Sequence, residues 1–250
     1  MEKFTPQILR FDSLPSTNIE AARRAAEGAA DGLCVVAGEQ TAGRGRLQRQ
    51  WFSPKDAGLY FSVVLRPKFE QRIWPLLTLM AAIAVRDALL EACALETDIK
   101  WPNDILVNEK KLCGILAETV ETTSGRAVIV GIGINVKRNS FPVDLEGVAT
   151  SIETETEKTV ESAELLEPLL NSFSKHYETL QLAGGDENIV REVCARSSYA
   201  NSKRVRVDDG EGELVGMTRG LESDGSLRVE TDGGEIRTIR TGDVTLVRAS

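Results

Sequence analysis

Short apolar runs bounded by polar or turn residues predict strands at Ile8 to Phe11, Leu33 to Ala37, Gly58 to Leu65, Ile105 to Val107, Leu112 to Val120 and Ala127 to Val136. Between them the spacing turns helical. An alanine-rich helix is expected from about Thr17 to Ala30, with Thr17 and Glu20 at capping-box spacing. Leu76 to Ala92 predicts a mostly buried helix, and helical patterns return at Ser162 to Leu182 and Glu187 to Arg196. Pro102 lacks a backbone donor and breaks the chain after Trp101, which reads as core. Asn108 to Lys111 reads as a turn, and Lys137 to Glu161 as an irregular connection.

The pattern changes after residue 198. Eight of the 21 glycines, from Gly210 to Gly242, fall in this last stretch and separate short alternating segments such as Arg204 to Val207 and Ser226 to Val229. Glycine turns between short strands predict a small β-barrel or meander, so a boundary is placed there: residues 1–198, then 199–250.

Composition narrows the function. Hydrophobic residues make up 42% and charged residues 27% of the 250, as in an ordinary folded protein. The net charge of -8 argues against coating nucleic acid, which needs cations facing phosphates. One stretch departs from that balance: Gln40 to Trp51 holds three arginines and no acid. The only histidine, His176, reads as a partly exposed helix residue, and the four cysteines form no C-x-x-C pair. A metal site built from His or Cys is therefore not expected, and the cysteines read as buried free thiols of a reducing compartment. The start of the chain lacks the apolar core of a signal peptide, and the apolar run from Ile73 to Val85 is too short to span a bilayer, so a cytoplasmic location is expected by elimination.

Three clusters carry candidate chemistry. In Gly43-Arg44-Gly45-Arg46-Leu47-Gln48-Arg49-Gln50-Trp51 the glycines allow close backbone approach, the arginines match carboxylate or phosphate oxygens, and Trp51 offers a flat face. This is neither a Walker loop nor a Rossmann fingerprint. A solvated turn would have the same composition. Lys100 to Asp104 with Lys110 to Glu118 is a second polar cluster, in which Lys111 starts a strand and can project into a cleft. A charged hairpin turn is the plain alternative. In Gly131-Ile132-Gly133-Ile134-Asn135, Gly131, Gly133 and Asn135 share one strand face, leaving room for a flat ligand or for another packed element.

In this order and spacing the clusters, with Ser16-Thr17-Asn18, closely resemble the biotin–protein ligases over roughly residues 8 to 140. The resemblance implies an α+β fold: a mixed or antiparallel central sheet flanked by helices, of class II synthetase type, with a small C-terminal Src-homology-type β-barrel. It implies that biotin attacks the α-phosphorus of ATP, with Mg²⁺ assisting, to give biotinyl-5'-AMP, which a lysine of a biotin carboxyl carrier protein then attacks. By the same match Lys111, Arg46 and Arg49 are the catalytic cations. Ser16, Thr17, Asn18, Gln40, Gly43, Arg44, Lys111, Gly114, Ile115, Gly131 and Gly133 would bind biotin. Arg46, Arg49, Trp51, Asn103, Lys111 and Asn135 would bind the nucleotide. Asp104 and Lys100 are expected at the reaction centre or the carrier-facing rim.

The first matched strand begins near Ile8, so a short monofunctional form without a DNA-binding domain is expected, with neither DNA nor membrane as partner. Because the family often pairs sheets edge to edge, a homodimer is a further expectation. The basic loop is expected to be mobile without ligand, since its glycines and arginines have little to pack against. A lipoate or octanoate transferase on the same fold, and a non-catalytic biotin- or nucleotide-binding regulator, are the alternatives. Biotin-dependent pyrophosphate exchange separates the first, and absence of carrier labelling would favour the second.

Overall fold

The computed structural model describes residues 4–208 and 212–247, so Gly210 lies outside the described residues. Among these, the strands form two sheets. The larger is mixed, with seven strands in the order β1-β2-β3-β7-β6-β5-β4. Strand β1 (Gln7–Phe11) runs parallel to β2 (Leu33–Ala37), because helix α1 (Thr17–Ala26) carries the chain back across the sheet between them. All other pairings are antiparallel: β3 (Gly58–Leu65), β7 (Gly125–Asn135), β6 (Lys110–Thr122), β5 (Asp104–Val107) and β4 (Asp98–Lys100). Asn108 and Glu109 both take positive φ, which suits a tight two-residue turn between β5 and β6. The Trp101–Pro102 peptide is cis and stands in the turn between β4 and β5.

The period-two alternation separates two faces. Leu59, Phe61, Val63 and Leu65 of β3 and Val128, Val130, Ile132 and Ile134 of β7 enter the main core, against helix α2 (Leu76–Cys93). Helix α2 is apolar on most sides because it lies between the sheet and two further helices, α4 (Ser162–Leu180) and α5 (Gly185–Arg196). On the other face Val35, Val64, Ala127 and Ile129 pack with Ala21 and Ala25 of α1. Helix α1 covers only part of that face, and the uncovered part is the floor of the site described below.

Some local expectations change. Helix α1 stops at Ala26, before Gly28 at φ +97°, and Ser16 occupies its N-cap without a side-chain cap bond. Glu20 closes no capping box; it pairs instead with Arg23 and Arg24 one turn on, which hold its carboxyl down at about 2. His176 is buried, with Nε2 2.8 Å from Asp87 Oδ2, because its position on α4 faces α2 rather than water. The connection from 137 to 161 contains a short helix, α3 (Ile152–Thr156), whose first turn is capped by Ser151. All four cysteines are free thiols.

The C-terminal part is a five-stranded antiparallel sheet in the order β11-β10-β9-β8-β12. Its strands are β8 (Asn201–Asp208), β9 (Glu213–Leu221), β10 (Leu227–Thr231), β11 (Ile236–Ile239) and β12 (Asp243–Leu246). Among the described residues no pairing joins the four-residue edge strands β11 and β12, so a closed barrel is not formed. The two sheets are fastened together: Trp101 is buried and its Nε1 donates to Gly225 O at 2.9 Å. No helix among the described residues is long and apolar enough to cross a membrane.

Candidate active site

The floor of the site follows from strand parity. Ser62 of β3 lies opposite Gly131 of β7, and Gly133 lies between Tyr60 and Gly114 of β6. A Cβ on Gly131 would stand 2.0 Å from Asn18 Oδ1, and one on Gly133 would stand 2.4 Å from Trp51 Nε1. A Cβ on Gly114 would come within 3.0 Å of the same indole. The missing side chains therefore admit Asn18 and Trp51, the packed elements of the two alternatives, while the three glycines still line the cavity. The indole nitrogen is buried there without a hydrogen-bond acceptor among the described residues.

A polar network crosses this floor. Gln40 Oε1 accepts from the Thr17 backbone N–H at 2.8 Å and from Thr17 Oγ1 at 3.1 Å, while its amide nitrogen donates to Ser53 Oγ at 2.9 Å. Ser62 Oγ lies 2.7 Å from both Thr17 Oγ1 and Asn18 Oδ1, one proton between two acceptors. Asn18 Nδ2 donates to Glu118 Oε2 at 2.8 Å, and Glu118 pairs with Arg44 at 2.8 Å. Ser16, Thr17, Asn18 and Ser62 are all buried. Buried polar groups that converge on a cavity are the usual mark of a ligand site. Sequence reading missed Ser62 and Ser53. The signal for Ser62 was present: it is the one hydroxyl inside the otherwise apolar run Leu59-Tyr60-Phe61-Ser62-Val63-Val64 apart from the Tyr60 phenol.

Cations gather at the other end. The basic segment is a hydrogen-bonded hairpin: Trp51 N–H donates to Gly43 O at 2.9 Å and Gly45 N–H to Arg49 O at 2.7 Å. Gly43 is required here, since a Cβ would lie 2.3 Å from Trp51 O. The arginines expected to lack partners each have one. Arg46 Nη1 donates to Asn103 Oδ1 at 3.0 Å and to Gly242 O at 3.3 Å, Arg46 Nη2 donates to Thr241 Oγ1 at 3.2 Å, and Arg49 pairs with Asp243. Lys111 Nζ is 2.7 Å from Asp104 Oδ1 and 5.4 Å from the Trp51 ring centre. Burial lowers the pKa of Lys100 beside them, against the opposing charge of Asp104.

The third wall was not foreseen. Phe141, Pro142, Leu145, Val148 and Ala149 come from the stretch read as irregular, and with Phe52 they give the cavity an apolar side. The strap is pinned by backbone: Lys111 N–H donates to Val148 O at 2.8 Å and Thr150 N–H to Lys111 O at 2.9 Å. Asn135, buried at the end of β7, donates its amide to Thr150 O at 2.9 Å. Oδ1 of Asn135 is thus left to accept a hydrogen bond from a ring-edge amino group. The apolar group within an otherwise polar segment was the available signal.

Of the sequence-predicted site residues, all line one cavity of about 440 Å³ except Gly43 and Lys100. Gly43 lies behind the hairpin. Ile115 reaches the cavity through its backbone, because its side chain alternates into the main core beside Ile132. The volume is that of a site for one small-molecule complex. No group of three or more His, Cys, Asp or Glu side chains converges among the described residues. Asp104 and Asp243 are the carboxylates that line the cavity.

Known proteins share this arrangement. Residues 9–135 match the biotin/lipoate A/B protein ligase family, and residues 203–247 match the biotin protein ligase C terminal domain. The bifunctional ligase/repressor BirA of Bacillus subtilis is 37% identical over 242 residues, covering 96% of this chain and 74% of that protein. The biotin--[acetyl-CoA-carboxylase] ligase of Mycobacterium tuberculosis is 33% identical, with 93% and 86% covered. The biotin protein ligase from Aquifex aeolicus, solved in complex with biotin and ATP, superposes with a TM-score of 0.84 at 31% identity, over 97% of this chain and 99% of that one.

Proposed function

The chain belongs to the biotin/lipoate A/B protein ligase family, and from that membership and the geometry of the cavity we infer that it is an ATP-dependent biotin–protein ligase. It activates biotin as biotinyl-5'-AMP and transfers it to a lysine of a carboxylase carrier protein. The observation that carries this reading is one cavity with a buried polar floor at one end, the cations Arg46, Arg49 and Lys111 at the other, and an apolar wall.

The chemistry needs that layout. A carboxylate and a polyphosphate repel, and the transition state at the α-phosphorus adds negative charge. An oxygen of the biotin carboxylate attacks the α-phosphorus as pyrophosphate leaves with its electron pair. The carrier amine then attacks the acyl carbon, and AMP leaves. We assign Lys111 to the meeting point of carboxylate and α-phosphate, and Arg46 and Arg49 to the phosphates. Each stands on the cavity rim beside a carboxylate, Asp243 for the two arginines and Asp104 for Lys111.

The ureido ring is assigned to Thr17, Gln40 and Ser62, with Ser16, Asn18, Gly43 and Arg44 shaping that end. Gly114, Gly131 and Gly133 are assigned to holding Asn18 and Trp51 in place, with Ile115 contributing backbone. Adenine is assigned to Trp51, Asn135 and the strap from Phe141 to Ala149, and Asn103 to the orientation of Arg46. Lys100 and Asp104 are placed at the reaction centre.

Magnesium is expected to arrive with ATP. It favours phosphate oxygens and one or two carboxylates, and Asp104 can supply one. We also propose the division into a catalytic part, 1–198, and a C-terminal part, 199–250, and a cytoplasmic location. A homodimer is supported by β6, whose outer edge beyond Gly114 carries no strand among the described residues.

The test is direct: incubate the protein with ATP, Mg²⁺, biotin and a biotin-carrier domain, and weigh the carrier. One added biotin on one lysine is expected. No transfer, with no biotin-dependent pyrophosphate exchange, removes the reading, and exchange driven by lipoate instead of biotin replaces it.

A further inference from the structure

We propose that Asp243 is a counter-anion built into the C-terminal sheet, seated on Arg46 and Arg49 where the phosphates of ATP bind, so that ATP enters by displacing it. The proposal rests on the assignment of those two arginines to the nucleotide.

The turn between β11 and β12 is aimed at the basic hairpin from nearly two hundred residues away. Three of its groups meet the arginines: Thr241 Oγ1, Gly242 O and the Asp243 carboxylate. Gly242 is at φ +148°, and a Cβ there would lie 2.7 Å from Asp208 O, so the turn depends on glycine to sit against β8. Asp243 lines the active-site cavity although the strand it begins belongs to the other sheet. Glu118 and Asp104, which pair with Arg44 and Lys111, stand on β6 and β5, within the sheet that forms the floor. Asp243 is the one of the three partners that can withdraw without disturbing the floor.

Charge gives the direction of exchange. Around the reaction centre Arg46, Arg49, Lys100 and Lys111 contribute four positive charges, and Asp104 and Asp243 two negative ones, leaving +2. One carboxylate thus orders the hairpin without neutralising the site. A triphosphate brings more charge and more acceptor oxygens to the same guanidinium groups. The Arg49 contact is open to solvent, its side chain being 67% exposed, and an ion pair with so exposed a partner holds loosely.

The Asp243→Asn variant tests this in two assays. In biotin-dependent pyrophosphate exchange its KM for ATP should fall by about two- to fivefold, the loss of one exposed ion pair, while the biotin KM and kcat stay near wild type. Without ligand, trypsin should cut at Arg44, Arg46 or Arg49 several times faster than in wild type, and ATP, Mg²⁺ and biotin together should restore protection. Asp243→Glu should match wild type in both assays. An unchanged ATP KM reduces the contact to ordinary joining of the two sheets and overturns the proposal. A raised ATP KM also overturns it, by making Asp243 a ligand of nucleotide or magnesium. Failure of the enzyme reading looks different, since wild type would then show no exchange at all.

Discussion

Replacing Gly131 with alanine adds one methyl group in the most crowded part of the floor. The new Cβ would lie 2.0 Å from Asn18 Oδ1 and 2.8 Å from its Cγ, so Asn18 must move. It cannot move cheaply, because its oxygen accepts from Ser62 and its nitrogen donates to Glu118, at 2.7 and 2.8 Å, inside a buried network. Overpacking of this kind costs about 1–3 kcal/mol, and each buried hydrogen bond broken adds about 1 kcal/mol. A loss of about 2–4 kcal/mol is therefore expected, which for a chain of this length lowers Tm by roughly 5–15 °C. Because Asn18 follows Thr17 at the start of α1, the KM for biotin should rise while the KM for ATP changes little. Urea denaturation and pyrophosphate exchange measure the two effects. An Asn18→Ala background supplies the control: with that side chain shortened, Gly131→Ala should cost at least 1 kcal/mol less than in wild type, about the coupling expected of residues in contact. Additive costs would refute the reasoning, as would a Gly131→Ala protein of wild-type stability.

Other expectations follow from the same geometry. Lys111→Ala should fold, since the lysine is partly exposed at the start of β6, but should lose exchange activity by about 10²–10³-fold, the usual effect of removing one charge-stabilising donor; wild-type exchange would remove its assigned role. Native thiol labelling at pH 8 should reach half-buried Cys194 first, because burial pushes Cys34 up to about 12, which leaves about one thiolate in ten thousand at that pH; equal rates for the two would contradict the burial. Asp87→Asn should destabilise the helix layer by about 1–3 kcal/mol by taking the carboxylate hydrogen-bond partner from His176 and the ionic partner from Arg196. Burial raises the Asp87 pKa, but the His176 hydrogen bond and the charge of Arg196 outweigh it and hold the group below 3.8. Its folded pKa being depressed, its contribution is present above pH 3.8 and is lost as pH falls through the folded value, so the variant's stability should show a shallower acid limb.

Period and punctuation were enough to place most elements. β2 and β3 run over the predicted residues, and α2 ends within one residue of its expected end, because an apolar run bounded by turn residues reports burial directly. The same parity placed Gly131, Gly133 and Asn135 on one face, and the acid-free loop of glycines and arginines singled out in the sequence lines the same cavity. Pattern says that a side chain is buried or aimed to one side, but it does not say against what. Asn18 and Trp51 filling the glycine positions, Ser62 beneath Thr17, the strap from Phe141 over the cavity and Asp243 on the basic hairpin are all contacts between residues tens to nearly two hundred positions apart. His176 shows the limit on one helix, since whether its face meets water or α2 depends on where α2 lies. Local chemistry along the chain thus determined the strands, the helices and the kind of ligand. The partners of each polar group, and so the shape of the site, were decided by tertiary structure, because only folding brings those distant segments within hydrogen-bonding distance.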